Sequence, residues 1–255
     1  MSLIDVRRVL GRDTARTFQE ADFAVLPLGS IEWHGPHLPL GTDTLIAEDI
    51  AASLDAGEWT GVLYPPVVFT AVPGQTRHYP GTVGLRPETM VEVFSQLLAG
   101  LAGNGFRRIL IVNAHDANMA TVRAAMEWVS GEHPVSLLLA NWFQLVTPAE
   151  TTSIFGPDQP RGHGGAFETS GVLGIDEGLV ALDAATDLPP RPRLTASDHV
   201  LVESHPAPWH GWSGHVSRVD TEGAQQVRRI ARERLHGLVA EWLGTPAPEA
   251  PGVRP

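Results

Sequence analysis

Glu32, His34 and Asp43 fall within twelve positions of one stretch, GSIEWHGPHLPLGTDT, at residues 29–44. Residues two apart in an extended chain point to the same side. Glu32 and His34 can therefore converge on one point while Trp33 faces away. Asp43 returns to that point after the loop GPHLPLGT, just ahead of a helical segment. Carboxylate oxygens and imidazole nitrogens bind divalent metals at about 2.0–2.2 Å. Three such groups come close to a metal site without completing it.

His115, in IVNAHDAN, supplies the natural fourth ligand, and Glu168, in HGGAFETS, the best fifth. Five nitrogen and oxygen donors exceed the needs of one tetrahedral ion. With a bridging carboxylate they suit two ions about 3.5–4 Å apart that share a water or hydroxide. Asp43 is the candidate bridge. The donor set favours zinc, with manganese or iron as alternatives. His163, five residues before Glu168, is the candidate general acid–base if it is not itself a ligand.

Each of these residues also has a plainer reading. An isolated E-x-H is common by chance. His115 could be a buried histidine held by backbone at a strand end. Glu168 could be a first-turn helix residue stabilised by the helix dipole. His37 reads as a supporting or loop-packing residue rather than a ligand. Asp116 would point away from His115 and cap the following helix. His205, His210 and His215 lie in ESHPAPWHGWSGHVS, an aromatic loop suited to lining a pocket or an interface. His78, His133, His199 and His236 read as structural or exposed.

The elements that must carry these groups alternate between strand and helix. Residues 21–30 read as a buried strand, 44–57 as a helix, and 61–69 as a strand weakened by two prolines. Residues 74–85 read as loop and a short extended piece. Residues 86–106 read as a helix, 107–118 as a second buried strand, 119–132 as a helix and 134–142 as a strand. Residues 143–165 read as a long loop, and a helix begins near Gly165. Residues 188–194 are a proline-rich connection. Residues 221–244 read as an amphipathic helix capped by Asp220 or Thr221. This alternation implies a parallel sheet covered by helices on both faces. The two polar clusters, 29–43 and 113–118, then fall at the carboxyl edge of the sheet, where open α/β folds bind ligands. One domain over 1–244 is expected, followed by a Pro-rich tail, 245–255, expected to be disordered.

Composition narrows the partners. The 255 residues carry a net charge of −11, which disfavours nucleic acid and anionic membranes. There is no cysteine, so disulfides and thiolate ligands are excluded. No apolar run approaches the ~20 residues that span a bilayer, and the first residues carry no signal-peptide core. A cytoplasmic protein acting on a small molecule is expected. The charged share is only 18%, compatible with surface given over to other subunits.

LPLGSIEWHGPHLPLGTDT resembles the N-terminal signature of the creatininase (creatinine amidohydrolase) family, GS-x-E-Q-H-G-P-H-L-P-x-x-T-D. PGTVGL, IVNAHDAN, HGGAFETS and GWSGHVSRVDTEG resemble that family's later motifs, in order, from about residue 25 to 225. The resemblance implies a three-layer α/β/α sandwich with a mostly parallel sheet, a dinuclear metal centre, and hydrolysis of an amide-like C–N bond by a metal-activated hydroxide. It implies a homohexamer built as a trimer of dimers. It places Glu32, His34, Asp43 and His115 as ligands, with Asp43 bridging, and His163 in the catalytic role. Creatininase itself has a ligand glutamate where this chain has Ala117; Glu168 can supply that oxygen. Trp33 and Ala114 replace the family's usual Gln and Gly. Ala117 implies a sibling with a different substrate. The rival readings are a peptidase-like member that trims a short peptide in a cofactor pathway and a non-catalytic metal-binding protein.

Overall fold

A computed structural model describes residues 3–55, 57–156, 162–189 and 210–249. Its elements are β1 (Ile4–Asp5), α1 (Thr14–Glu20), β2 (Phe23–Leu28), α2 (Thr42–Ala52), β3 (Gly61–Leu63), α3 (Pro87–Gly103), β4 (Arg108–Asn113), α4 (Asn118–Glu132), β5 (Ser136–Asn141), α5 (Trp142–Leu145), α6 (Pro148–Phe155), α7 (Ala166–Leu173) and α8 (Thr221–Leu243). The five strands form one sheet in the order β1-β3-β2-β4-β5, and every pairing between them is parallel.

The central strands are the sequence's two continuous apolar runs. All six residues of β2 and all six of β4 are buried. Their alternation divides the core in two. Phe23, Val25, Leu110 and Val112 face α2, α5, α7 and α8 through Ile46, Ile50, Trp142, Phe167, Val227 and Leu235. Ala24, Leu26, Ile109 and Ile111 face α3 and α4 through Met90, Phe94, Leu98, Val122 and Val129. Each such fully buried large side chain contributes about 1.5–3 kcal/mol over its exposed state. The result is the expected α/β/α sandwich.

Local chemistry explains where elements start and stop. Pro87 occupies the first turn of α3, where its missing N–H costs nothing. Asp220 caps α8 by accepting from Gly223 N at 2.7 Å, which settles the choice between Asp220 and Thr221. α2 begins two residues earlier than its apolar pattern suggests, so Asp43 lies within its first turn rather than ahead of it. It ends at Ala52, well short of Gly57. The prolines at 65 and 66 stop β3 after Leu63, and pairing resumes only as a bridge between Leu28 and Val67.

The reading of 143–165 as one long loop is corrected. α5 and α6 occupy its first half. Thr147 and Glu150 form a capping box around Pro148, a T-P-x-E start signal inside a segment too short for helical periodicity to stand out. β1 and α1 precede the first element the sequence pattern predicts. Residues 157–161, most of the 188–194 connection, His199, His205 and 250–255 lie outside the described residues.

The strand order places the site. β2 leads through α2 to β3 on one side, whereas β4 lies on β2's other side and leads through α4 to β5. The order therefore reverses between β2 and β4, the position where open α/β sheets form ligand crevices. Leu28 pairs with Asn113, and Ala114 N donates to Leu28 O at 3.0 Å. The two polar segments leave the sheet side by side.

Candidate metal centre

Gly29 ends β2 where the chain meets α2. A Cβ there would lie 2.4 Å from Thr44 N and Cα, so only glycine fits. Thr44 Oγ1 donates to Ser30 O at 2.9 Å, and Thr70 Oγ1 to Gly29 O at 2.9 Å. From there residues 31–34 leave the sheet outside any helix or strand. Glu32 N donates to Leu40 O at 2.9 Å and Trp33 N to Thr82 Oγ1 at 3.0 Å. Glu32 and His34 are buried on one side. Trp33 faces the other, stacked on Tyr79 with ring centroids 5.7 Å apart.

Asp43 is buried at the N-terminal turn of α2, where the helix dipole favours a carboxylate. Its Oδ1 lies 3.1 Å from His34 Nε2 and its Oδ2 2.8 Å from His115 Nδ1. Ser30 Oγ also donates to Oδ2, at 2.7 Å. Glu168, in the first turn of α7, places Oε2 3.7 Å from His34 Nε2 and accepts from Gly164 N at 2.6 Å. The sequence-predicted residues thus come together as three overlapping groups: Glu32–Asp43–His115, His34–Asp43–Glu168 and Glu32–His34–His163. Within each group the donor atoms lie within 4.8 Å of one another. Asp43 is common to the first two.

Both ligand-type histidines are oriented by backbone carbonyls, which can only accept. His34 Nδ1 donates to Glu32 O at 2.9 Å, and His115 Nε2 donates to Ala71 O at 2.9 Å. The opposite nitrogen of each ring therefore faces Asp43. This is the usual way a protein fixes the tautomer of a metal-binding histidine. Glu32 is prepared in the same sense. Thr76 Oγ1 donates to its Oε1, while Oε2 is buried, accepts no hydrogen bond from the described residues and lies 3.3 Å from His115 Nδ1. An orphaned carboxylate oxygen costs free energy unless a cation satisfies it. The donor set fits divalent ions.

The electrostatics agree. Burial alone would lower the His34 pKa, but the Asp43 and Glu168 carboxylates raise it to about 10. His115 is likewise raised against its burial, to about 9, by Glu32 and Asp43. Burial raises Asp43, yet the two imidazoles outweigh it and hold the carboxyl well below the usual range. Burial pushes Glu168 up to about 8, and Asp43 adds to the push. The two imidazoles thus offset the buried Asp43 charge, and a cation beside Glu168 would favour its ionised form.

His163 is half-buried, with its ring 4.1 Å from that of His34. Its Nε2 donates to Trp33 O at 2.5 Å. Burial, together with His34, lowers its pKa to about 4.

Other expectations sort differently. His37 is buried but belongs to no donor group among the described residues; it bonds Gly164 O and Thr169 Oγ1. Asp116 does not cap α4. It is exposed and accepts from Asn141 Nδ2 at 3.4 Å, and Ala117 takes the cap position without a side-chain bond. His210 is exposed and gives its carbonyl to Trp33 Nε1. His215 Nδ1 lies 3.8 Å from Asp187 Oδ2. His236 bonds Ser53 O, a structural role.

The groups that support these side chains carry little mark in the sequence. Ser30 holds a carboxylate oxygen of Asp43, and Thr76 one of Glu32. Asn113 Nδ2 donates to His115 O at 2.8 Å, and Asn118 Nδ2 donates to Asn113 Oδ1 at 3.1 Å and to Gly29 O at 3.2 Å. This amide pair ties the two strand ends together. Two asparagines flanking the histidine at −2 and +3 were the available signal; nothing marks Thr76, which arrives from a distant loop.

Comparison with known proteins agrees with the geometry. The chain is 28% identical over 182 residues to creatinine amidohydrolase of Pseudomonas putida, covering 65% of this chain and 69% of that protein. It is 29% identical over 243 residues to mycofactocin precursor peptide peptidase of Mycobacterium ulcerans, covering 88% of this chain and 86% of the other. The fold superposes on the solved structure "Creatininase Mn" with a TM-score of 0.78 at 20% identity, over 96% of this chain and all of that one. Residues 11–240 match the family described as creatininase, creatinine amidohydrolase. The chain belongs to the creatininase family.

Proposed function

We propose that this protein is a metal-dependent amidohydrolase that cleaves a C–N bond of a small molecule (an amide, cyclic amide or formamide) at a centre holding two divalent cations. One observation carries the reading: the two oxygens of a single buried carboxylate, Asp43, face His34 and His115, which belong to two different donor groups. Glu32, Asp43 and His115 would hold one ion. His34, Asp43 and Glu168 would hold the other. Zinc suits the nitrogen and oxygen set best, with manganese or iron as alternatives. Glu168 then supplies the oxygen that Ala117 cannot.

When bound, such cations polarise a carbonyl and make a water acidic near neutral pH. The chain's own groups do the rest. His163 is held by Trp33 O at Nε2, so Nδ1 is the nitrogen that accepts a proton and returns it to the leaving nitrogen. Its depressed pKa keeps the ring neutral, and so able to accept, at pH 7. The stacked Trp33 and Tyr79 fix the carbonyl that holds His163.

A second reading is a peptidase acting on a short peptide, favoured by the longer similarity to the peptidase relative. Assaying lactams, formamides and short peptides with added zinc or manganese separates the two. Turnover of peptides alone would select the peptidase, and tightly held metal without any turnover would select a non-catalytic protein. We also propose a homohexamer, a trimer of dimers, in the cytoplasm; light scattering reads the assembly. Among the described residues, no helix is long and apolar enough to cross a membrane.

A further inference from the structure

His37 has no place in the proposed chemistry, yet it is as buried as the ligands, at 1% exposure. Its Nε2 lies 3.0 Å from Gly164 O and 3.1 Å from Thr169 Oγ1. A carbonyl can only accept, so the ring proton sits on Nε2. Nδ1 is buried and has no hydrogen-bond partner among the described residues. That suits a lone pair better than a second N–H, so the imidazole is neutral. The ring also meets Trp212 edge-on, with centroids 6.1 Å apart.

The two partners bracket the catalytic segment. Gly164 follows His163 and has φ +61, a left-handed conformation that favours glycine. A Cβ at this position would lie 2.4 Å from His34 O, so the turn is pressed against the segment that carries His34. The amide on one side of Gly164 donates to Glu168 Oε2 at 2.6 Å. The carbonyl on its other side is taken by His37. Thr169, the second partner, is the next residue after Glu168. His37 therefore grips both the turn that aims an amide at Glu168 and the helix that carries Glu168.

We propose that His37 is a positioning residue: by holding the Gly164 carbonyl and the Thr169 hydroxyl, it fixes Glu168 toward the His34–Asp43 side of the centre. The inference rests on the two-cation reading above. It separates the two donor groups, because Glu32 and His115 are held by Thr76 and the Ala71 carbonyl instead. Losing His37 weakens one cation and spares the other.

The test is zinc titration of the chelator-stripped full chain against a competing chromophoric chelator, with melting of the metal-free proteins recorded alongside. His37→Leu fills space but donates nothing. His37→Gln places an amide N–H near the Nε2 position. Wild type is expected to take two zinc ions. His37→Leu is expected to bind one of them about tenfold or more weakly, with the other unchanged and the metal-free melting temperature close to wild type. His37→Gln is expected to recover most of the loss. His37→Asn, whose shorter amide stops short of Gly164 O, is the second test should the leucine variant fold poorly, and it is expected to behave like leucine. Wild-type affinity for both ions in His37→Leu or His37→Asn, or equal impairment of the glutamine variant, overturns the role of His37 alone. A wild-type chain that takes up no zinc overturns the metal-centre reading and this inference with it.

Discussion

His34 and His115 face opposite oxygens of one carboxylate: Nε2 of His34 lies 3.1 Å from Asp43 Oδ1, and Nδ1 of His115 lies 2.8 Å from Oδ2. The histidines come from different segments, one after β2 and the other after β4. Asp43 joins them from the first turn of α2. Removing its charge should therefore disturb both halves of the centre at once. Asp43→Asn keeps the shape and loses the anion. Loss of an outer-shell partner alone typically costs about 10–100-fold in metal affinity or activity, so this direct change is expected to cost more. Elemental analysis should find fewer than two ions per chain. Two ions held at wild-type affinity would refute the bridge.

His163→Ala should separate chemistry from metal binding. Its Nε2 is committed to Trp33 O, and a positioned general acid–base contributes about 10²–10⁴-fold to turnover. The variant is expected to lose that factor in kcat while keeping its metal content. Full kcat would remove His163 from the proton path. Lost metal would make it a ligand through its group with Glu32 and His34.

Metal should also be felt as stability. Glu32, Asp43 and Glu168 are buried together, and a ligand that binds only the folded chain at 100 times its Kd stabilises by about 2.7 kcal/mol. Calorimetry should show the melting temperature rising with zinc or manganese and falling again with chelator. A temperature indifferent to both would argue against the centre.

Gly29→Ala tests the close approach that sets the site. The added methyl would press on the Thr44 backbone, which cannot swing aside as a side-chain tip could. Overpacking of this kind costs about 1–3 kcal/mol, occasionally more. Denaturant unfolding should show the loss, accompanied by weaker metal binding because Asp43 adjoins Thr44.

A pH effect away from the site follows from Glu150. The Arg234 guanidinium, bonded to it at 2.7 and 3.0 Å, and the Thr147 backbone amide hold its carboxyl at about 2, against an ordinary 4.5. The folded value is depressed, so the contribution is fully present above the unfolded pKa. It is lost as pH falls from about 4.5 towards 2. The pair is partly exposed, so solvent screens it and the effect is modest. The urea midpoint of Glu150→Gln should fall less steeply over that window than wild type's. Parallel acid limbs would show that the pair contributes nothing.

Much of this protein can be read along the chain because the physics involved is local. FAVLPL and RILIVN are buried on both faces and had to be central strands. Their polar sequels had to emerge together at the carboxyl edge of a parallel sheet. The E-x-H spacing, read as extended chain, put Glu32 and His34 on one side. The start of α6 was also written locally, in Thr147 and Glu150, but eight residues are too few for periodicity to reveal.

What only the folded chain decided lies in contacts between distant segments, often through backbone atoms. Ala71 O aims His115, Thr76 fixes one oxygen of Glu32, and Gly164 O receives His37. A carbonyl looks the same behind every residue type, and a threonine in a loop carries no mark of the carboxylate it will meet. The sequence therefore determined which side chains could bind cations and which edge they would share. The tertiary structure decided which oxygen of Asp43 each histidine faces, because that depends on packing α2 against β2 and β4.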